Sequence, residues 1–180
     1  MRLYLVRHLR PMVPSGVCYG RSDLPVDPQL HADALPGLRS QLPYEVPLFS
    51  SPLQRCASLA RALSNEVRFD ARLVELDFGA WEMCGWDRIA RTEIDAWAAD
   101  VALYRPGGGE NVLDMAQRIS AFYDDLVGQA LPAAIVLCHA GTMRLLAART
   151  RGLDAMAMAQ VAARRPHAIG YGEVVILDSV

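Results

Sequence analysis

Two short apolar runs each end in a histidine: Leu5-Val6-Arg7-His8 and Val136-Leu137-Cys138-His139. A histidine attacks phosphorus when one ring nitrogen is unprotonated and a hydrogen bond holds the other. The charge on a transferring phosphoryl group then needs fixed cations and donors around it. Arg7, beside His8, and Arg55, at the start of an expected helix, are of the right type. A guanidinium meets two oxygens at once and stays charged. His139 precedes Ala140-Gly141 and a helix start, where free backbone N–H groups favour an anion. Glu75, Asp77 and Glu82 are the candidate proton donors. Each of these has an ordinary reading when taken alone. A strand-end histidine is commonly a polar loop residue, and Arg55 alone reads as a solvated helix residue. Together they describe an anion site.

For the two histidines to meet, the elements carrying them must lie side by side. In an open α/β sheet, side chains just past the carboxyl ends of the strands line the ligand crevice. The first strand is expected over about residues 2–7 and its counterpart over 133–138. Between them the pattern predicts a helix near 31–42, a short strand near 46–50, and a helix opening at Ser51-Pro52. Serine suits that N-cap and proline its first turn. Leu53, Cys56, Ala57, Ala60 and Leu63 form that helix's inward face at helical spacing. The tract from Leu73 to about Trp97 reads as a turn or short strand followed by an acidic, tryptophan-bearing helix. Pro106-Gly107-Gly108-Gly109 breaks the chain before a long helix near 111–130. Helices to about 151 and over 154–163 follow, then a last strand near 173–177, expected at an edge. Strands alternating with helices predict a three-layer α/β/α sandwich with a largely parallel central sheet. No repeat or linker divides the chain, so residues 1–180 are expected to form a single domain.

Pro11, Pro14, Gly16, Gly20 and Pro25 mark the stretch after the first strand as an irregular loop, the kind that carries function above a sheet. Tyr19 and Gly20 there are further candidates for substrate contact, and Arg10 suits either a cation near the substrate or a residue facing solvent. Cys18 and Tyr19 suit either the organic part of a substrate or plain loop packing. Trp81, Trp86 and Trp97 read as core or lid packing. His31, His167 and the Arg164-Arg165 pair read as surface or loop residues.

Leu5-Val6-Arg7-His8, Ser50-Ser51-Pro52-Leu53-Gln54-Arg55-Cys56 and Cys138-His139-Ala140-Gly141 resemble the signatures of the histidine phosphatase, or phosphoglycerate-mutase-like, superfamily. Glu75-Leu76-Asp77-Phe78-Gly79-Ala80-Trp81-Glu82 resembles the signature that carries its general acid. Order and spacing match, and the resemblance covers nearly the whole chain. It implies a phosphoglycerate-mutase-like fold and phosphomonoester hydrolysis through a phosphohistidine, with no metal or other cofactor. It further implies His8 as nucleophile, Arg7, Arg55 and His139 on the phosphate oxygens, and Glu75 as the acid. Within the superfamily the chain is most similar to the α-ribazole phosphatases of cobalamin biosynthesis. That likeness rests on residues 13–25, Trp81-Glu82-Met83 and Pro106-Gly107-Gly108-Gly109-Glu110-Asn111. Two positions depart from the family pattern. Leu9 replaces the usual glycine after the nucleophile, and Pro14 replaces a phosphate-contacting asparagine.

A formal net charge of −2 and a pI near 6.1 give no reason to expect nucleic acid, so any anion site must be a local cluster of cations. The first residues reach charge too soon for a signal-peptide core, and no stretch has the length of a membrane span. A cytoplasmic protein acting on a small-molecule phosphate ester is expected. The four cysteines are scattered, without Cys-x-x-Cys or zinc spacing. Two other functions fit the same residues: a phosphoglycerate mutase or broad sugar-phosphate phosphatase, and a non-catalytic binder of phosphorylated ligands. Chain length weighs against the mutase, which needs a larger lid. The intact set of histidines, arginines and acid weighs against the binder.

Overall fold

The side chains of β1 (Arg2–Arg7) alternate between two buried faces, as a central strand requires. Leu3 and Leu5 face one cluster of buried residues; Val6 faces another. A computed structural model describes residues 1–163 and 168–178 of the chain. His167 and Arg164-Arg165 lie outside the described residues. β1 pairs in parallel with β4 (Ala133–Cys138), register Arg7 to Cys138. β4 in turn pairs in parallel with β2 (Leu48–Ser50), and β2 with β3 (Val67–Phe69). β5 (Val174–Asp178) closes the other edge antiparallel to β1, giving the order β3-β2-β4-β1-β5.

Helices cover both faces. α1 (Pro28–Gln41) and α2 (Gln54–Leu63) pack on the side of Val6, Ile135 and Leu137. The other side, with Leu3, Leu5, Ala134 and Val136, is covered by α4 (Val112–Gly128), α5 (Ala140–Arg149) and α6 (Ala155–Ala163). The α3 helix (Arg91–Ala99) sits among short 3₁₀ turns at 71–73, 79–81 and 86–88. This is the three-layer sandwich that the pattern predicts. No helix among the described residues is long and apolar enough to cross a membrane.

Two local expectations are corrected, and one open alternative is resolved. α1 begins earlier, because the Asp27 carboxylate accepts from the Gln29 N–H (2.9 Å) and Pro28 fills the first position. α2 begins later, at Gln54, and Ser51 is not its cap. The Asp23 carboxylate, reaching from the first loop, accepts from the Gln54 N–H at 2.6 Å, while Ser51 is engaged by His139. Of the turn and the short strand expected after residue 73, the structure has the turn, as 3₁₀ turns leading into α3. The extra strand is β3, whose mostly exposed edge position leaves little hydrophobic pattern to read.

Candidate active site

Three neighbouring parallel strands, β2, β4 and β1, end side by side. The residues that follow them form one row: Ser51, His139 and His8. The His8 N–H donates to the Cys138 carbonyl and the Ser51 N–H to the Leu137 carbonyl, both at 3.0 Å. The two imidazole centroids lie 5.1 Å apart. Strand adjacency thus brings together two residues that lie far apart in sequence.

The hydrogen bonds fix both tautomers. His8 Nδ1 lies 2.7 Å from the Leu9 carbonyl, which only accepts, so Nδ1 carries the proton and Nε2 keeps its lone pair. Burial, helped by the charge of Arg55, lowers the His8 pKa to about 3, against the pull of the Leu9 bond. His8 is therefore a neutral imidazole near pH 7. His139 is fully buried, and burial followed by Arg55 holds its pKa well below the usual histidine value. Its Nδ1 accepts from Arg55 Nε at 3.2 Å, so Nε2–H donates to Ser51 Oγ at 2.9 Å. His139 stands behind His8 and does not itself line the cleft.

Arg55 is 0% exposed, and no carboxylate among the described residues pairs with it. Its other donors reach the carbonyls of Ser22 (2.6 Å) and Gly20. A buried guanidinium held only by neutral groups is costly unless an anion completes its surroundings. Arg7 donates from Nη1 to the Ile169 carbonyl, while its buried Nε has no hydrogen-bond partner among the described residues. Arg7 and Arg55 line the same cleft as His8, and the charge of each acts on its imidazole.

Glu75 faces them from a segment without regular secondary structure. Arg118 on α4 pairs with Glu110 at 2.7 Å and donates to the carbonyls of Arg72, Val74 and Glu75. Thr142 Oγ1 holds the Leu73 carbonyl at 3.2 Å. Glu75 Oε2 accepts from the Gly141 N–H at 3.0 Å, at the start of α5. Asp77 and Glu82 have other tasks. Asp77 caps the Gly79 N–H at 2.8 Å. Glu82 accepts from the N–H groups of Gly20, Arg21, Ser22 and Phe78 and from the Ser22 hydroxyl. Burial pushes its carboxyl pKa up, but these bonds prevail and hold it below the usual value. Glu82 anchors the loop whose carbonyls grip Arg55. Gly20 is needed there because a Cβ would collide with the Leu76 carbonyl.

Arg7, His8, Tyr19, Arg55, Glu75 and Gly141 line one cleft of about 390 Å³. Its far wall holds Phe78, Trp86, Trp97, Val101, Val112 and Met115. The Trp86 and Trp97 rings lie 9° from parallel with centroids 6.0 Å apart. Arg10 is exposed and not part of the cleft wall, and Gly20 contributes through its backbone. Leu9 is 7% exposed and packs with Val6 in the core, so the missing glycine is replaced by an anchor without positive φ. Pro14 is exposed. Arg118, Thr142, Arg144 and Tyr171 were not singled out by the motifs, and Ser51 was expected only as a helix cap. Arg144 was findable: it lies three residues after Gly141, on the same face of α5, and lines the cleft.

Residues 3–171 match the model of the histidine phosphatase superfamily (branch 1). The chain belongs to that superfamily. Over 105 residues it is 34% identical to the bifunctional protein Rv2228c of Mycobacterium tuberculosis, a match covering 54% of this chain and 29% of that protein. The chain thus spans under a third of the length of that relative. Among solved structures it resembles the α-ribazole phosphatase of Shigella flexneri, with 26% identity, a TM-score of 0.81, and coverage of 99% and 90% of the two chains. It shares its fold with a mycobacterial glucosyl-3-phosphoglycerate phosphatase, with 23% identity, a TM-score of 0.82, and coverage of 97% and 88%.

Proposed function

We propose that this protein is a phosphatase that cleaves a small-molecule phosphomonoester in two steps through a phosphohistidine on His8. The observation that carries the reading is the neutral His8, its Nδ1 proton spent on Leu9, in one cleft with two arginines that no carboxylate among the described residues pairs with. In the first step Nε2 bonds to phosphorus as the ester P–O bond breaks. Glu75, in its acid form, gives its proton to the departing alkoxide. In the second step Glu75 takes a proton from water, the water oxygen bonds to phosphorus, and the N–P bond breaks. Arg7 and Arg55 hold the non-bridging oxygens, where their charge counts most in the transition state. His139, bonded to Arg55 and Ser51, orients that arginine and lends polarity behind the nucleophile.

For the substrate, we infer α-ribazole 5′-phosphate, which would release α-ribazole as the alcohol, in a cytoplasmic setting. The likeness to the Shigella enzyme supports it, as does the aromatic and apolar far wall of the cleft, suited to a flat aromatic base. Arg144 in that wall favours a second reading, a sugar-phosphate substrate with another anionic group, in keeping with the fold shared with the glucosyl-3-phosphoglycerate phosphatase. Turnover of α-ribazole 5′-phosphate, 3-phosphoglycerate, glucosyl-3-phosphoglycerate and simple sugar phosphates decides between them. The first reading expects the highest kcat/KM on α-ribazole 5′-phosphate. A higher value on either acidic substrate overturns it, and phosphate transfer to a second sugar phosphate makes the protein a mutase.

A further inference from the structure

Each of the two arginines at the cleft floor is faced by a tyrosine. The Arg7 guanidinium lies 4.0 Å from the Tyr171 ring centroid, and that of Arg55 lies 5.6 Å from the Tyr19 ring. The two phenol oxygens meet at 2.7 Å. Tyr19 belongs to the loop between β1 and α1, and Tyr171 to the turn before β5. That turn is fastened to the nucleophile's own backbone. The Gly172 N–H donates to the carbonyls of Arg7 (3.1 Å) and His8 (3.3 Å), and the Arg7 N–H donates to the Glu173 carbonyl (3.0 Å). Arg7 Nη1 bonds the Ile169 carbonyl in the same turn. Gly172 allows this path with a left-handed φ of 71°.

We propose that Tyr19 and Tyr171 form a clamp that sets the spacing and orientation of Arg7 and Arg55, with Tyr171 as a positioning residue for phosphate binding. The proposal rests on the reading of those arginines as phosphate ligands. Stacking on a ring face fixes the plane of a guanidinium before an anion arrives, so less side-chain freedom is lost on binding. The hydroxyl contact makes the two jaws one unit. Tyr171 is 43% exposed, so burial of its ring does not account for its placement; its neighbours are Arg7, the Tyr19 hydroxyl and, at 5.6 Å between ring centroids, His8. Burial, followed by the Tyr171 bond, raises the Tyr19 pKa and keeps that phenol protonated.

The test measures competitive inhibition by inorganic phosphate, together with KM and kcat on p-nitrophenyl phosphate, for the whole protein and four variants: Tyr19→Phe, Tyr171→Phe, the double phenylalanine variant and Tyr171→Leu. Losing either hydroxyl removes the same bond, so each single Phe variant raises the phosphate Ki by about 3-fold and the double variant by no more. Tyr171→Leu, lacking the ring as well, raises Ki and KM by about 10-fold with a smaller change in kcat, and Tyr171→Phe restores most of that loss. Additive Phe effects, or a Tyr171→Leu variant with the wild-type Ki, overturn the clamp. If phosphate does not compete in the wild type, the phosphate-site reading and the clamp both fall. If it competes there and equally in every variant, the clamp alone falls.

Discussion

Replacing Gly141 by alanine separates catalysis from stability at this site. Gly141 lies in the first turn of α5 without a positive φ, so alanine suits the backbone and favours the helix by roughly 0.5–1 kcal/mol. Its Cβ, however, would overlap Glu75 Oε1 and lie 3.1 Å from Cδ and 3.2 Å from Oε2. The carboxylate is the far end of a flexible side chain, so it moves and the helix does not. A displacement of ~1 Å costs on the order of 10²-fold in a positioned step, about 2.7 kcal/mol of barrier. Proton donation matters most for poor leaving groups. Gly141→Ala should therefore lower kcat/KM on an alkyl phosphate by about 100-fold, and on p-nitrophenyl phosphate by under about 10-fold. Its thermal midpoint should stay level or rise. Glu75→Gln should give the same selective pattern more deeply, whereas Glu82→Gln should not be selective for leaving group. Wild-type rates on alkyl phosphates in Gly141→Ala, or an equal loss on both substrate types, would refute the role given to Glu75.

Acid should unfold the protein partly through His8. Its folded pKa of about 3 lies below the unfolded value near 6.5, so the unfolded chain binds the extra proton between them, and stability falls as pH drops below about 6.5. Between pH 7.5 and 4.5 the wild type should lose about 2–3 kcal/mol more than His8→Asn in urea titrations; parallel curves would count against a buried neutral His8. Leu9→Ala should cost about 2–4 kcal/mol, because the side chain is 7% exposed in the core behind the site. Equal denaturation midpoints would mean that Leu9 is no anchor.

The strands that carry the chemistry were legible because their apolar runs are long and end in charged or polar residues. β1 and β4 fall where residues 2–7 and 133–138 place them. The pairing of His8 with His139 followed from topology, which the alternation of strands and helices implied. What escaped was held by tertiary contacts. α2 takes its N-terminal partner from Asp23, in a different loop, so no local signal marks its start. The segment bearing Glu75 has no periodicity, since its carbonyls are satisfied by Arg118 and Thr142 instead of a neighbouring strand. Nor did composition set Glu82 apart from Glu75. The family resemblance selects Glu75, and the loop amides around Glu82 and the Gly141 N–H beside Glu75 separate the two carboxylates physically. Tyr171 escaped because its partners, Arg7 and Tyr19, come from the other end of the chain.

Trapping the phosphorylated protein tests the central claim most directly. Labelled phosphate ester, mixed with the protein and quenched in alkaline detergent within milliseconds, should leave label on His8, stable to base and lost in acid. Full phosphatase activity in His8→Ala, or label on a residue other than His8, would contradict the account.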